Sequence, residues 1–274
     1  MQVPSIVLND KNRIPQLGYG VWKIEDNDAD KAVQKAIEVG YRHIDTAKIY
    51  ENEKGVGKGI HNAQIKRSDI FLTTKVWNTD QGYDATLKAC EASLERLATD
   101  YIDLYLIHWP APERDLYIET WKAMIRLKEE NVVRSIGVCN FRIADLERLI
   151  RETGFTPVLN QIELHPAFQQ HELHSFHEKH HIATEAWSPL GQGKMLTNPV
   201  LEDIAKAHGK TAAQVILRWH IETGNIVIPK SQSGERMAEN FNIFNFSLTS
   251  ADHDMIVKLD QRNGRIGPNP NEFN

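Results

Sequence analysis

A chain of 274 residues, 41% hydrophobic and 25% charged, has the make-up of a globular protein. It carries no run of about 18 uncharged apolar residues, and its N-terminus "MQVPSIVLNDKNRIPQLG" lacks the basic start and apolar block of a signal peptide, so neither a membrane span nor secretion is expected. A net charge of -5 argues against a nucleic-acid surface, and two cysteines, Cys90 and Cys139, form neither a disulfide framework nor a metal pair, which favours a cytoplasmic setting. Along the chain, "VPSIVLNDKNRIPQLG", with turn residues Asn9-Asp10 between short apolar runs, predicts an N-terminal hairpin closing one end of the fold. Strands are then expected at 17–20, 43–45, 70–75, 102–108, 133–140, 158–163, 182–188 and 225–230. Helical periodicity falls at 28–39, 53–60, 84–97, 115–130, 143–152, 170–179, 211–221 and 235–241, with a last helix in "TSADHDMIVKLD".

Strands alternating with helices imply right-handed βαβ units and a parallel sheet, and eight such units in about 250 residues match a (β/α)8 TIM barrel. The absence of a linker or low-complexity tract makes residues 1–274 one domain. An open doubly wound sheet would carry a glycine-rich phosphate turn after its first strand. The near match "GVGKG" at 55–59 has the wrong spacing and reads as loop and helix-start glycines, while "HGKT" at 208–211 reads as a turn into the next helix.

Residues at the C-terminal ends of barrel strands converge on one mouth. There the chain places Asp45, Lys75, His108, Asn140, Gln161, Glu163, Trp187, Ser188, Lys230 and Ser231, after strongly apolar interiors. Lys75, starting from a half-buried strand, needs a counter-charge, and Asp45 can supply it. Either the pair merely steadies the rim, or it serves Tyr50 on the loop just beyond Asp45. A nearby ammonium is expected to lower the phenol's pKa and make it a general acid. His108, as a neutral imidazole, would orient a carbonyl oxygen toward that phenol.

The motifs "GYRHIDTAKIYENE", "TTKVW", "LIHWP", "GVCNF", "NQIELHP" and "IPKSQSGERMAENF", in this order and spacing, resemble those of the aldo-keto reductases. The resemblance runs from "PQLGYGVW" to "GPNPNEF" and leans toward the bacterial 2,5-diketo-D-gluconate and methylglyoxal reductases. It implies NADPH-dependent carbonyl reduction with the catalytic tetrad Asp45, Tyr50, Lys75 and His108. It also implies that Asn140 and Gln161 hold the nicotinamide carboxamide, with Cys139 at a position where many members have serine. Trp187, where tyrosine is common, would stack on the nicotinamide. Ser188, Leu190 and Gln192 would meet the pyrophosphate. Lys230, Ser231 and Arg236 would take the 2′-phosphate, and Glu239 and Asn240 the adenine. Gly234 replaces a usual proline, so that loop is expected to be more mobile.

Trp22, Trp77 and Trp109, just past strands one, three and four, are expected to line the substrate cavity together with His108. Only about 14 residues follow the last helix, which favours small carbonyl substrates over steroid-sized ones. A monomer without a metal is expected. Two other classes compete. "HELHSFHEKHH" could suggest a metal-dependent barrel hydrolase through His171, His174, His177, His180 and His181, although a solvated helix face explains it more simply. A non-catalytic barrel that binds cofactor as a sensor is the other alternative.

Overall fold

The computed structural model describes residues 3–274. Strands β1 (Ser5–Val7) and β2 (Arg13–Pro15) pair antiparallel as the expected hairpin. Eight parallel strands follow in sequence order: β3 (Tyr19–Gly20), β4 (His43–Asp45), β5 (Phe71–Val76), β6 (Ile102–Ile107), β7 (Val133–Cys139), β8 (Leu159–Glu163), β9 (Ala183–Trp187) and β10 (Ile226–Val227). Between and after them lie α1 (Asp26–Val39), α2 (Glu53–Asn62), α3 (Tyr83–Leu97), α4 (Tyr117–Glu129) and α5 (Ile143–Thr153). The second half adds α6 (His171–Lys179), α7 (Pro199–His208), α8 (Ala212–Glu222), α9 (Gly234–Phe241) and α10 (Ser250–Val257).

The sheet curls into a (β/α)8 barrel. First and last strands are joined by Gly18 N–H to Val227 O at 2.8 Å, Val227 N–H to Gln16 O at 2.9 Å and Gly20 N–H to Pro229 O at 3.3 Å. Both partners at this seam are short, so residues 228–231 lie beyond the strand, in a connecting segment rather than in the extended strand expected there.

Side chains alternate between the two faces of each strand. In β6, Leu104 and Leu106 join Phe71, Leu159 and Ile226 inside, while Tyr105 and Ile107 pack outward under Trp121 and Met124 of α4. Leu8 and Ile14 of the hairpin belong to the inner cluster, so the hairpin plugs the barrel where the strands begin. Cys90 and Cys139 are both buried and unpaired. Among the described residues no helix is long and apolar enough to cross a membrane.

Two local expectations change. "GVGKG" lies inside α2, where its three glycines are buried and let neighbouring backbones come close. A Cβ at Gly55 would fall 2.2 Å from Asp26 O of α1, and one at Gly57 would fall 2.3 Å from Leu97 O of α3. Close packing outweighs glycine's helix penalty of about 1 kcal/mol here. Helix α7 is additional: the Asn198 side chain accepts from Val200 N–H at 3.0 Å, and Pro199 fills the first turn, where its missing N–H costs nothing.

Candidate functional site

Positions of one parity in β4, β5, β8 and β9 point into the barrel, and toward the C-terminal ends they turn polar. Lys75 of β5 donates to Asp45 Oδ1 at 2.6 Å and to Thr46 O at 2.8 Å, with both side chains essentially closed to solvent. Its Nζ lies 5.1 Å from the centre of the Tyr50 ring. Tyr50 ends a short 3-10 turn after β4, and that loop is braced by buried Asn52. Asn52 donates to Val21 O and Ile24 O at 2.9 and 2.8 Å and accepts from Thr46 Oγ1 at 2.7 Å. The imidazole of His108, just past β6, stands 5.7 Å from the Tyr50 ring, nearly perpendicular to it. The four residues expected to work together therefore do converge.

Burial disfavours the Lys75 ammonium, but Asp45, with Tyr50 and Cys139 adding to it, offsets that and holds it above its ordinary range. Burial pushes the Asp45 carboxyl up, against the pull of Lys75. For Tyr50 the expected direction is reversed. Burial raises the phenol to about 12, and Lys75 only partly offsets it. The phenol is thus a retained proton, with an ammonium placed to steady the anion left when that proton departs. Burial and the Lys75 charge hold His108 well below its ordinary value, hence neutral.

Trp77 meets the His108 ring at 5.1 Å, and Trp109 lies 6.5 Å from it, so two of the three expected tryptophans stand beside the tetrad. Trp22 is 44% exposed, stacks under Lys23 and lines a cleft that Asp45 also reaches. Sequence reasoning missed the C-terminal segment. Glu163 accepts from Ile266 and Gly267 N–H at 2.6 and 2.9 Å, and Phe273 then packs on Trp109 and Trp77 at 4.5 and 6.0 Å. The tail walls the mouth, although nothing local in its sequence signals where it docks.

Beside the tetrad opens a cleft of about 750 Å³. Asp45 and Trp187 reach its lining, followed by Ser188, Leu190 and Gln192 after β9. Lys230, Ser231 and Arg236 line it too, as do Glu239 and Asn240 of α9. Lys23 also lines it; a cation three residues past the first strand was the available signal. Cys139, Asn140 and Gln161 lie deeper. The Asn140 amide donates to His108 O at 3.1 Å and accepts from Trp187 Nε1 at 2.8 Å. Gln161 Nε2 donates to Asp45 and Glu185 at 2.9 Å each.

The histidines of α6 are not a uniform solvated face. His177 is buried between Asn160 at 3.0 Å and Thr184 at 2.9 Å, and His174 bonds Asn225 at 2.9 Å. Among the described residues no group of three or more His, Cys, Asp or Glu is arranged to hold a metal.

Residues 16–261 match the model of the Aldo/keto reductase family. An aldo-keto reductase of Mycolicibacterium smegmatis is 55% identical over 99% of this chain and 98% of its own length. Methylglyoxal reductase DkgA of Escherichia coli K12 is 50% identical over 100% of this chain and 99% of its own. The crystal structure of an aldo/keto reductase from Brucella melitensis superposes with a TM-score of 0.92 at 66% identity, covering 94% of this chain and all of that one. A Gox0644 mutant crystallised in complex with NADPH gives 0.97 at 47% identity over the full length of both chains. The chain belongs to the aldo/keto reductase family, and it is an oxidoreductase.

Proposed function

We propose that the protein reduces small aldehydes and ketones to alcohols with NADPH, Tyr50 serving as proton donor. Its substrates are methylglyoxal, keto-sugar acids such as 2,5-diketo-D-gluconate, and short keto esters. The observation that carries this reading is the meeting of Tyr50, the Lys75–Asp45 pair and His108 beside a cleft lined by cations. The methylglyoxal reductase activity for which the Escherichia coli relative is named and the NADPH of the Gox0644 complex support it.

The cleft suits the cofactor. Lys230, Ser231 and Arg236 supply the charge and hydroxyl that a phosphate monoester takes. Trp187 offers a ring for the nicotinamide, and Asn140 and Gln161 bring amides to the same depth. Bound NADPH supplies the hydride that reduces the carbonyl carbon. The protein's own residues manage the oxygen. Neutral His108 donates an N–H to it, and Tyr50 passes it the phenolic proton as negative charge builds. An alkoxide is a stronger base than phenolate, so transfer runs downhill even from a phenol near 12. Lys75, kept charged by Asp45, steadies the phenolate until it is reprotonated. Trp77, Trp109 and Phe273 wall the mouth and exclude water.

Residues 1–274 act as one barrel domain and as a cytoplasmic monomer, since one chain supplies every group named and both cysteines stay unpaired. The test is NADPH consumption with methylglyoxal and a panel of keto acids, with and without chelator. Chelator-insensitive turnover is expected. Chelator-sensitive hydrolysis would mark a metalloenzyme instead, and NADPH binding without turnover of any carbonyl would mark a sensor.

A further inference from the structure

Beneath the tetrad lies a carboxyl group that the mechanism above does not use. Glu185, in the middle of β9, has no exposure to solvent. Its Oε2 accepts from Gln161 Nε2 at 2.9 Å, and the same nitrogen donates to Asp45 Oδ2 at 2.9 Å. Its other oxygen has no hydrogen-bond partner and lies 3.6 Å from His43 Nε2. Gln161 and Glu185 are register partners on adjacent strands, whereas the contacts to Asp45 and His43 cross the barrel, since β4 neighbours neither β8 nor β9 in the sheet.

The two amide hydrogens of Gln161 are thereby committed, one to each carboxyl group. The reverse orientation would set the amide oxygen 2.9 Å from the Asp45 carboxylate, which is repulsive. Gln161 Oε1 is therefore the group left to accept a bond at the mouth. Asp45 alone would fix one hydrogen and leave the amide free to swing about it; the second acceptor removes that freedom.

We infer that Glu185 is a positioning residue of the reduction, whose Oε2 locks the Gln161 amide so that its carbonyl oxygen faces the nicotinamide carboxamide. This rests on the function proposed above. The groups facing Glu185 are His43 and Asp45 of β4, Lys75 of β5, Cys139 of β7 and Gln161 of β8. Burial first, then the Asp45 charge, raises Glu185 to about 8. Below that pH the barrel floor holds one negative charge, on Asp45, opposite Lys75. Above it a second appears, Lys75 is shared between two anions, and Tyr50 holds its proton more tightly.

The test uses the full chain and two substitutions, Glu185→Gln and Glu185→Leu. The glutamine keeps an acceptor for Gln161 and cannot ionise; the leucine removes the acceptor. Glu185→Leu is expected to weaken NADPH binding, read by quenching of tryptophan fluorescence, about tenfold, the value of one hydrogen bond. The KM for methylglyoxal at saturating NADPH stays near wild type. In a Gln161→Leu background the same change adds little further loss, because the effect passes through that amide. Glu185→Gln is expected to bind NADPH as wild type does; the wild-type kcat is expected to fall as pH rises through about 8, and that of Glu185→Gln is not.

Native NADPH affinity in Glu185→Leu overturns the inference, as does equal loss in both variants. Should the leucine variant fail to fold, the glutamine variant decides: a limb near pH 8 that survives in it overturns the assignment. Wild-type protein that binds NADPH but turns over no carbonyl sinks the proposed function alone, since the affinity comparison does not depend on turnover.

Discussion

Lys75 Nζ lies 2.6 Å from Asp45 Oδ1, with both side chains shut away from water. Removing one partner strands the other as an uncompensated charge, which costs about 3–5 kcal/mol. Lys75→Met is expected to lower the urea midpoint by that measure, and the double variant Asp45→Asn with Lys75→Met to recover most of it. If the double variant were as unstable as the single one, packing rather than charge would hold this region.

Tyr50→Phe removes the proton donor while keeping the ring beside His108. The kcat for methylglyoxal is expected to fall about 10²–10⁴-fold, with NADPH affinity unchanged. Near-native turnover in this variant would mean that another group supplies the proton.

Arg236 and Lys230 stand exposed on the cleft wall. Arg236→Ala is expected to weaken NADPH about tenfold or more, the value of a charge-assisted hydrogen bond, and to leave NADH almost untouched. Equal losses for the two cofactors, in parallel titrations, would remove the 2′-phosphate from this site.

Glu163 fastens the C-terminal segment. Burial pushes its carboxyl up, but His165 and the Ile266 and Gly267 amides bring it below its ordinary range, so it holds the tail as a carboxylate. Glu163→Ala is expected to free the tail and take Phe273 off Trp109. The KM for small carbonyls then rises while NADPH affinity holds, and bulky aromatic aldehydes lose less than small ones. A kinetic panel in which all substrates decline alike would count against this.

Three histidines, His43, His177 and His220, are pushed down to about 3 by burial. Each binds its proton less readily folded than unfolded. Their contribution is complete above the unfolded value of 6.5 and fades as pH falls toward 3. Melting temperatures are expected to drop over that window, and His177→Asn to flatten the slope. Raised Glu185 has the opposite sign: its contribution is present at low pH and lost between its ordinary value of 4.5 and about 8. Glu185→Gln therefore gains on wild type as pH climbs through that range.

Strand order and most of the tetrad were legible because barrel strands carry short-range signals: apolar alternation, then a polar residue where each strand stops. Asp45, Lys75 and His108 follow that rule directly. Helix α7 also announced itself through Asn198-Pro199, but a βα unit needs only one helix, and α8 already filled the place. Residues whose meaning depends on distant partners stayed hidden. The glycines of α2 look like helix breakers until α1 and α3 are set against them. Gln161 looked like an amide with donor and acceptor both available, but Asp45 across the barrel and Glu185 on the next strand claim its hydrogens. The Tyr50 phenol was expected to fall because the ammonium beside it was visible in sequence, whereas the depth of its burial was not.

The barrel is closed by hydrogen bonds between residues 16–20 and 227–229, and Gly20, Ile228 and Pro229 of that joint also edge the cleft. A dinucleotide lying there would bridge the two short staves β3 and β10. Closing the hoop and gripping the ligand then become one free-energy change, so the protein is sturdiest where the cell keeps its reductant abundant.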